Sequence, residues 1–349
     1  MRVYNFLRSL TMQSEKRVSF DNISNLLTPI RLILGWQFFS AFLRRTLNDP
    51  EKLDPNSPAY IGHAFNHFLP HALFIKPMIE FLITHVHLLY IFLLTFTIIE
   101  GLVGIGLILG LLTRLSALGA ALLSFGILLG SGWLGLTCVD EWQIGIAGIG
   151  CGIVVMCFGG GQFSIDYLLF RKRTSKILKL LTSGLLDLNS AQIRNIALIF
   201  SLVAVSITLF TYQALHNGLY GKLYNLSKVP KIEILSANLY NNGSLKLLIY
   251  RVDGPDTYGA FVRQIIVSDD SGNIVETFDP NETSVDSSKI KNFYLNKVEP
   301  NKYSLVVPLG AKAEVEFLPN HNIELKKGKY KVELIDISGL KWTKDVNVN

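Results

Sequence analysis

Charge is what this sequence has least of. Asp, Glu, Lys and Arg make up 17% of it, against 49% hydrophobic residues, and the mean hydropathy is +0.34. A soluble chain carries about 25% charged residues, so an ordinary soluble protein is excluded for much of the length. Cysteine is scarce as well: Cys138, Cys151 and Cys157 are the only three, so the part after Cys157 contains no disulfide. There is no paired-cysteine zinc pattern, no C-x-x-C-H haem attachment, no phosphate-binding glycine loop and no dinucleotide fingerprint. No basic surface with interleaved aromatics stands out, so the formal charge of +6 argues for membrane topology and not for nucleic acid. The first residues carry Arg2, Arg8, Lys16 and Arg17 with no continuous apolar core, which does not read as a cleavable signal peptide. Met12 competes with Met1 as the start.

Long apolar runs fill the first two-thirds. Five spans are expected: Leu26 to Leu43, Leu88 to Leu112, Leu115 to Leu136, Trp142 to Phe163 and Ile196 to Leu215, since a bilayer takes about 20 apolar residues. The first is short, and its Arg31 is expected to snorkel to one interface. Basic residues concentrate in the N-terminal segment, at Arg114, and in the Arg171 to Arg194 loop. With five spans all of these fall on one side, which the positive-inside tendency makes the cytoplasm. The domain expectation is a cytoplasmic segment (1–25), a four-helix membrane domain (26–170), a basic linker (171–195), a fifth membrane helix (196–215) and an external domain (216–349). Glycines at three- and four-residue spacing in the second to fourth spans let helix backbones approach closely. Between the first two spans, a proline-rich outer segment holds a semi-apolar stretch, Phe65 to Phe81, suited to lying along the membrane face.

After Leu215 the pattern becomes β. Short runs at Lys231–Asn241, Leu245–Asp253, Phe261–Ser268, Tyr303–Val307, Ala313–Phe317 and Tyr330–Ile337 are separated by Asn242-Gly243, Asp253-Gly254-Pro255, Ser271-Gly272-Asn273 and Lys327-Gly328. They predict an all-β sandwich-like external domain. Acceptor patterns for N-glycosylation at Asn225, Asn242 and Asn281 fit an external location; a fourth at Asn22 does not.

Glu100 is the residue most suited to chemistry. A carboxylate inside an apolar span costs a few kcal/mol or more. It reads as a proton acceptor beside a quinone or a polar anchor for a ligand head group. The structural alternative is a hydrogen bond to Gln37 or Trp36 on the first span. At the outer mouth Arg44, Arg45, His85 and His87 meet Trp133, Cys138, Asp140, Glu141 and Trp142. Two arginines there suit a small dianion, or they are ordinary interface residues beside a tryptophan belt. Cys138 reads as an outer thiol without a clear activating neighbour. Arg114 is expected to clamp Asp166. His63, His67 and His71 repeat every four residues, but Pro70 interrupts the face and no carboxylate suits a metal, so no metal or haem is expected.

Glu100-Gly101-Leu102 with Gly106 and Gly110-Leu111-Leu112-Thr113-Arg114 resembles the second-helix signature of the DoxX-like membrane family, and Gly161-Gln162-Phe163-Ser164-Ile165-Asp166 its segment closing the fourth helix. Gly130-Ser131-Gly132-Trp133 and Cys138-Val139-Asp140 resemble the DoxD branch. The part from Ile196 onward resembles DoxA, one anchor followed by an external β-domain. The resemblance covers nearly the whole chain. It implies a fused DoxD/DoxA-type thiosulfate:quinone oxidoreductase, which joins two thiosulfate ions to tetrathionate and reduces a membrane quinone. For this family that means sulfur-oxidising archaea and a caldariella-type quinone. By placement, Arg44, Arg45, His85 and His87 would hold thiosulfate. Glu100 and Cys138 would act catalytically, and Trp36, Gln37 and Trp133 would contact the quinone. Expected partners are thiosulfate, the quinone and the bilayer, with a respiratory terminal oxidase or a second copy as protein partner. The rival reading is a non-enzymatic membrane scaffold or carrier that binds a lipid or sulfur compound and recruits a partner through its external domain.

Overall fold

The computed structural model describes residues 20–132, 141–170, 175–183, 190–223, 228–255, 259–280, 289–319, 321 and 323–348. Its helices are α1 (Phe20–Leu26), α2 (Thr28–Leu43), α3 (Gly62–Phe68), α4 (Lys76–Thr84), α5 (Val86–Leu109), α6 (Thr113–Ile127), α7 (Glu141–Phe158), α8 (Ile165–Phe170), α9 (Lys176–Leu181) and α10 (Ser190–His216). Among the described residues, three stretches are long and apolar enough to cross a membrane: Val86–Leu109, Thr113–Gly130 and Ala197–Ala214. The apolar stretch of α7, Gln143–Phe158, is shorter, and α2 has 16 residues. Helices therefore occur at all five expected positions. The chain divides into two compact units: 1–43 with 98–123 and 148–193, and 44–97 with 124–147 and 194–349.

In the first unit the helices meet at small residues. α2 buries Arg31, Leu34, Gly35, Phe38 and Ala41, a stripe at helical spacing. A Cβ on Gly35 would lie 2.9 Å from the Gly104 carbonyl of α5, and one on Gly104 would lie 2.5 Å from the Phe39 amide. The same closeness relates Gly119 of α6 to Val103 and Gly152 of α7 to Ala117 and Ala121. Small residues let these backbones approach within the reach of dispersion. α7 stops at Phe158, short of the expected Phe163, because Gly159 (φ +77°) and Gly161 (φ +65°) take the left-handed conformation that breaks a helix.

The second unit contains the β-domain. Strands β1 (Lys231–Leu239), β2 (Leu245–Asp253), β3 (Ala260–Asp269), β4 (Ile274–Phe278), β5 (Ile290–Asn292), β6 (Glu299–Pro300), β7 (Leu305–Val307), β8 (Lys312–Phe317), β9 (Gly328–Asp336) and β10 (Lys341–Val348) form two sheets. One sheet has the order β1-β2-β8-β5; the other has β10-β9-β3-β7-β6, with β4 also on β3. All pairings are antiparallel. Ile232, Leu247, Ile249 and Val315 of one sheet share a core with Val262, Ile265, Val332 and Leu334 of the other, as in a sandwich. The expected β1–β2 hairpin turns at Asn242-Gly243, where Asn242 Oδ1 accepts the Ser244 amide at 3.0 Å. The sequence pattern missed β4, β5, β6 and β10. Two of these are very short, and β10 is an edge strand whose exposed positions carry Lys341, Lys344 and Asp345.

Candidate functional site

Glu100 lies on the buried face of α5 and is 2% exposed. Leu93, Thr97, Val103 and Leu107 share that face, at the spacing a helix requires. Trp36 and Gln37 occupy the opposite side of α2 from its buried stripe: Trp36 is 57% exposed, and Gln37 is exposed too. Arg44 and Arg45 form the start of a π-helical turn, Arg44–Asn48, directly after α2, with Arg44 exposed and Arg45 half-buried. His85 is exposed, its ring lies tilted against Phe81 at 4.4 Å between ring centroids, and its Nδ1 meets the Phe81 carbonyl at 2.9 Å. His87 lines a groove of about 610 Å³ with Pro50, Leu53, Asp54, Pro55, Val86 and Tyr90. Trp133 and Cys138 lie outside the described residues, as do Asp140 and the glycosylation positions Asn22 (side chain), Asn225 and Asn281.

Three buried charges of the first unit do structural work at helix ends. Arg31 does not snorkel; it is 2% exposed. Its guanidinium donates to the Leu107, Ile108 and Phe163 carbonyls at 2.5, 3.1 and 2.8 Å. The first two are carbonyls at the C-terminus of α5, which have no partner within the helix. Asp166 does not pair with Arg114. It accepts the Leu112 and Thr113 amides at 2.8 Å each, the Thr113 hydroxyl at 2.7 Å, and the Ser183 amide and hydroxyl at 3.1 Å each. A carboxylate there suits the positive end of the α6 dipole. Arg114 instead donates to the Lys179 and Cys157 carbonyls at 3.3 and 3.4 Å.

The second unit contains an interface that sequence reasoning missed. His63 Nδ1 lies 2.6 Å from Asn296 Oδ1. The Asn296 amide nitrogen already donates to the Leu309 carbonyl, so His63 carries the proton on Nδ1. Asn66 is fully buried; it donates to the Gly310 carbonyl at 3.0 Å and accepts the Asn296 amide at 3.2 Å. His71 Nε2 faces two acceptors, the Val252 carbonyl at 3.0 Å and Asp253 Oδ1 at 2.6 Å, and so donates. The Tyr294 hydroxyl donates to Glu80 at 2.5 Å. Burial and that carboxylate push the Tyr294 hydroxyl's pKa upward. Tyr60, Leu69, Ile79, Ile83 and Leu89 form an apolar cluster with Tyr294 and Leu295 packed on it. The helix carrying His63 and His67 ends at Phe68, before His71, and the partners of His63 and His71 are an amide, a carbonyl and a carboxylate. Among the described residues no group of three or more His, Cys, Asp or Glu could hold a metal ion. The β-domain is thus docked on segment 60–80 by polar contacts around an apolar patch.

Two solved structures are similar to part of the chain. One is the archaellum periplasmic stator protein complex FlaF and FlaG from Sulfolobus acidocaldarius, at 12% identity over 36% of this chain and 92% of that one, with a TM-score of 0.23. The other is the stator protein FlaG from the same organism, at 11% identity over 34% and 100%, with a TM-score of 0.21. Likeness at that level carries no argument. The family comparisons are of another order. Residues 26–212 match DoxD, described as the TQO small subunit DoxD, and residues 215–345 match DoxA, described as the TQO small subunit DoxA. The two stand in tandem, helical part first and β-domain second, with the boundary at the end of α10. Both families are subunits of thiosulfate:quinone oxidoreductase, a membrane-associated oxidoreductase. The chain belongs to the DoxD family and carries the DoxA part fused behind it.

Proposed function

We propose that this chain oxidises thiosulfate with a membrane quinone. Two thiosulfate ions join through one new sulfur–sulfur bond to give tetrathionate, and the two electrons released, with two protons, convert one quinone to quinol. The observation that carries this reading is the presence of both small-subunit families in one polypeptide.

Thiosulfate arrives at the face that bears the β-domain, taken as the outer side from the distribution of basic residues. Arg44, exposed just after α2, and Arg45 beside it hold the dianion by charge-assisted hydrogen bonds, with His85 assisting. Cys138 is the thiol available to carry a sulfur intermediate. Glu100 exchanges the protons that quinone reduction consumes. Trp36 and Gln37 offer the quinone ring a lipid-facing wall, with Trp133 as a further aromatic contact. The acceptor is a quinone of the caldariella type. A respiratory oxidase that returns quinol to quinone, or a second copy of the chain, is the fitting protein partner.

The test is purified full-length protein with thiosulfate and decylquinone. Quinol and tetrathionate appearing one for one support the reaction. Binding of either compound without turnover refutes it and leaves the non-enzymatic carrier.

A further inference from the structure

We propose that the groove beside His87 is a quinol-docking site at the outer end of α5, separate from Glu100, where quinol and quinone exchange with the membrane. This deepens the reaction proposed above and rests on it. The groove holds about 610 Å³, within the range that takes a small organic ligand. Its walls are Pro50, Leu53, Pro55 and Val86, and its polar groups are Asp54, His87 and Tyr90. Val86 opens α5, an apolar helix of 24 residues, so the groove sits where a membrane helix reaches the interface. An amphiphile with a polar aromatic head and an apolar tail fits that position. Leu88, Ile91 and Leu94 are exposed along α5 and give such a tail an apolar track.

The polar groups decide between the two substrates. Asp54 is an acceptor; its Oδ1 takes the Asn56 amide at 2.9 Å, which fixes the carboxylate at the rim. A carboxylate repels thiosulfate, a dianion, but accepts a hydrogen bond from a neutral quinol hydroxyl. His87 and Tyr90 stand three residues apart on one helix face and can serve the ring's other oxygen. Tyr60 adds a second, independent observation. It is 1% exposed, and its hydroxyl has no hydrogen-bond partner among the described residues, a state that buried hydroxyls rarely keep. Burial, and then its neighbour Tyr90 of the groove, push its pKa up to about 12, so it stays neutral. Glu100 comes ten residues after Tyr90 on α5, about 15 Å along the axis, beyond the span of one ring.

A photoreactive azido-decylquinone on the purified full-length protein tests the proposal. Adducts are expected on the peptides carrying Pro50 to Pro55 and Val86 to Tyr90, with decylquinol competing and thiosulfate not. Asp54→Asn combined with Tyr90→Phe should lower that labelling about fivefold, the loss expected for one or two hydrogen bonds. Asp54 is exposed and Tyr90 half-buried, so the double variant should keep the wild-type melting temperature. Adducts elsewhere only, unchanged labelling in the double variant, or competition by thiosulfate equal to that by quinol would overturn the site. Groove adducts without thiosulfate turnover uphold the site and remove the reaction. Turnover without groove adducts upholds the reaction and removes the site.

Discussion

Asp166→Ala should be among the most damaging single changes in the helical part. The carboxylate is 2% exposed and accepts hydrogen bonds from five donors: the Leu112 and Thr113 amides, the Thr113 hydroxyl, and the Ser183 amide and hydroxyl. Alanine leaves the two amides at the start of α6 buried without partners. Each unsatisfied donor costs about 1–3 kcal/mol, and the lost dipole interaction adds about 0.3–1 kcal/mol. Hydroxyls rotate to other acceptors, and the costs of neighbours do not add, so the net loss should be about 3 kcal/mol. For a domain of this size that lowers the melting temperature by about 6–12 °C. Thermal unfolding of the detergent-purified chain, read by size exclusion after heating, measures it. Asp166→Asn keeps one acceptor oxygen and should fall between the two. A melting temperature for Asp166→Ala within about 2 °C of wild type would mean that water reaches those amides, and the argument from burial would fail.

Other outcomes follow from particular contacts. Glu100→Gln should abolish quinone reduction by thiosulfate while the melting temperature holds; full activity would remove the acid from the mechanism. Gly310→Ala should undock the β-domain, because Gly310 has φ +72° and an added Cβ would overlap the Asn66 carbonyl; faster hydrogen exchange across α3 would report it. Arg31→Met should free the α5 carbonyls that the guanidinium holds and cost about 2 kcal/mol, seen as a lower melting temperature. Asp269 is held below the usual carboxylate range by the Asn273 side chain first and the Asn273 amide next. Its support of the β3–β4 turn is therefore complete above the ordinary carboxylate pKa and disappears as the pH falls through the lower folded value. Amide exchange at Ser271 and Asn273, corrected for intrinsic rate, should speed up over that window, and Asp269→Asn should flatten the change.

The sequence made the apolar helices and most longer strands legible because each needs only local information: hydropathy over a window, alternation, and turn residues. Helix ends were harder. At the α5–α6 break Asp166 was expected to pair with Arg114, but its carboxylate takes the Leu112 and Thr113 amides, more than 50 residues back in the chain, and no local pattern separates the two roles. Arg31 was expected to snorkel because the carbonyls that receive it, on Leu107, Ile108 and Phe163, are remote in the chain. The histidine repeat at positions 63, 67 and 71 was visible, but its meaning lay in Asn296 and Asp253, more than 180 residues on. Edge strand β10 escaped because an edge exposes one flank to water and tolerates lysine and aspartate where a central strand would not.

Burial of a charge is therefore not in itself a sign of chemistry in this chain. Arg31, Arg114 and Asp166 are all nearly inaccessible, and each is explained by backbone groups at a helix end. Glu100 is equally buried but occupies a different kind of place. It lies in the interior of α5, between Val86 and Leu109, where backbone amides and carbonyls already satisfy one another along the helix. No helix terminus calls for a carboxylate there. The same reasoning that makes Asp166 a structural residue separates Glu100 from it. If Glu100→Gln lowered the melting temperature as much as Asp166→Ala while quinone reduction survived in the folded fraction, that separation would collapse, and Glu100 would join the residues that only hold helices together.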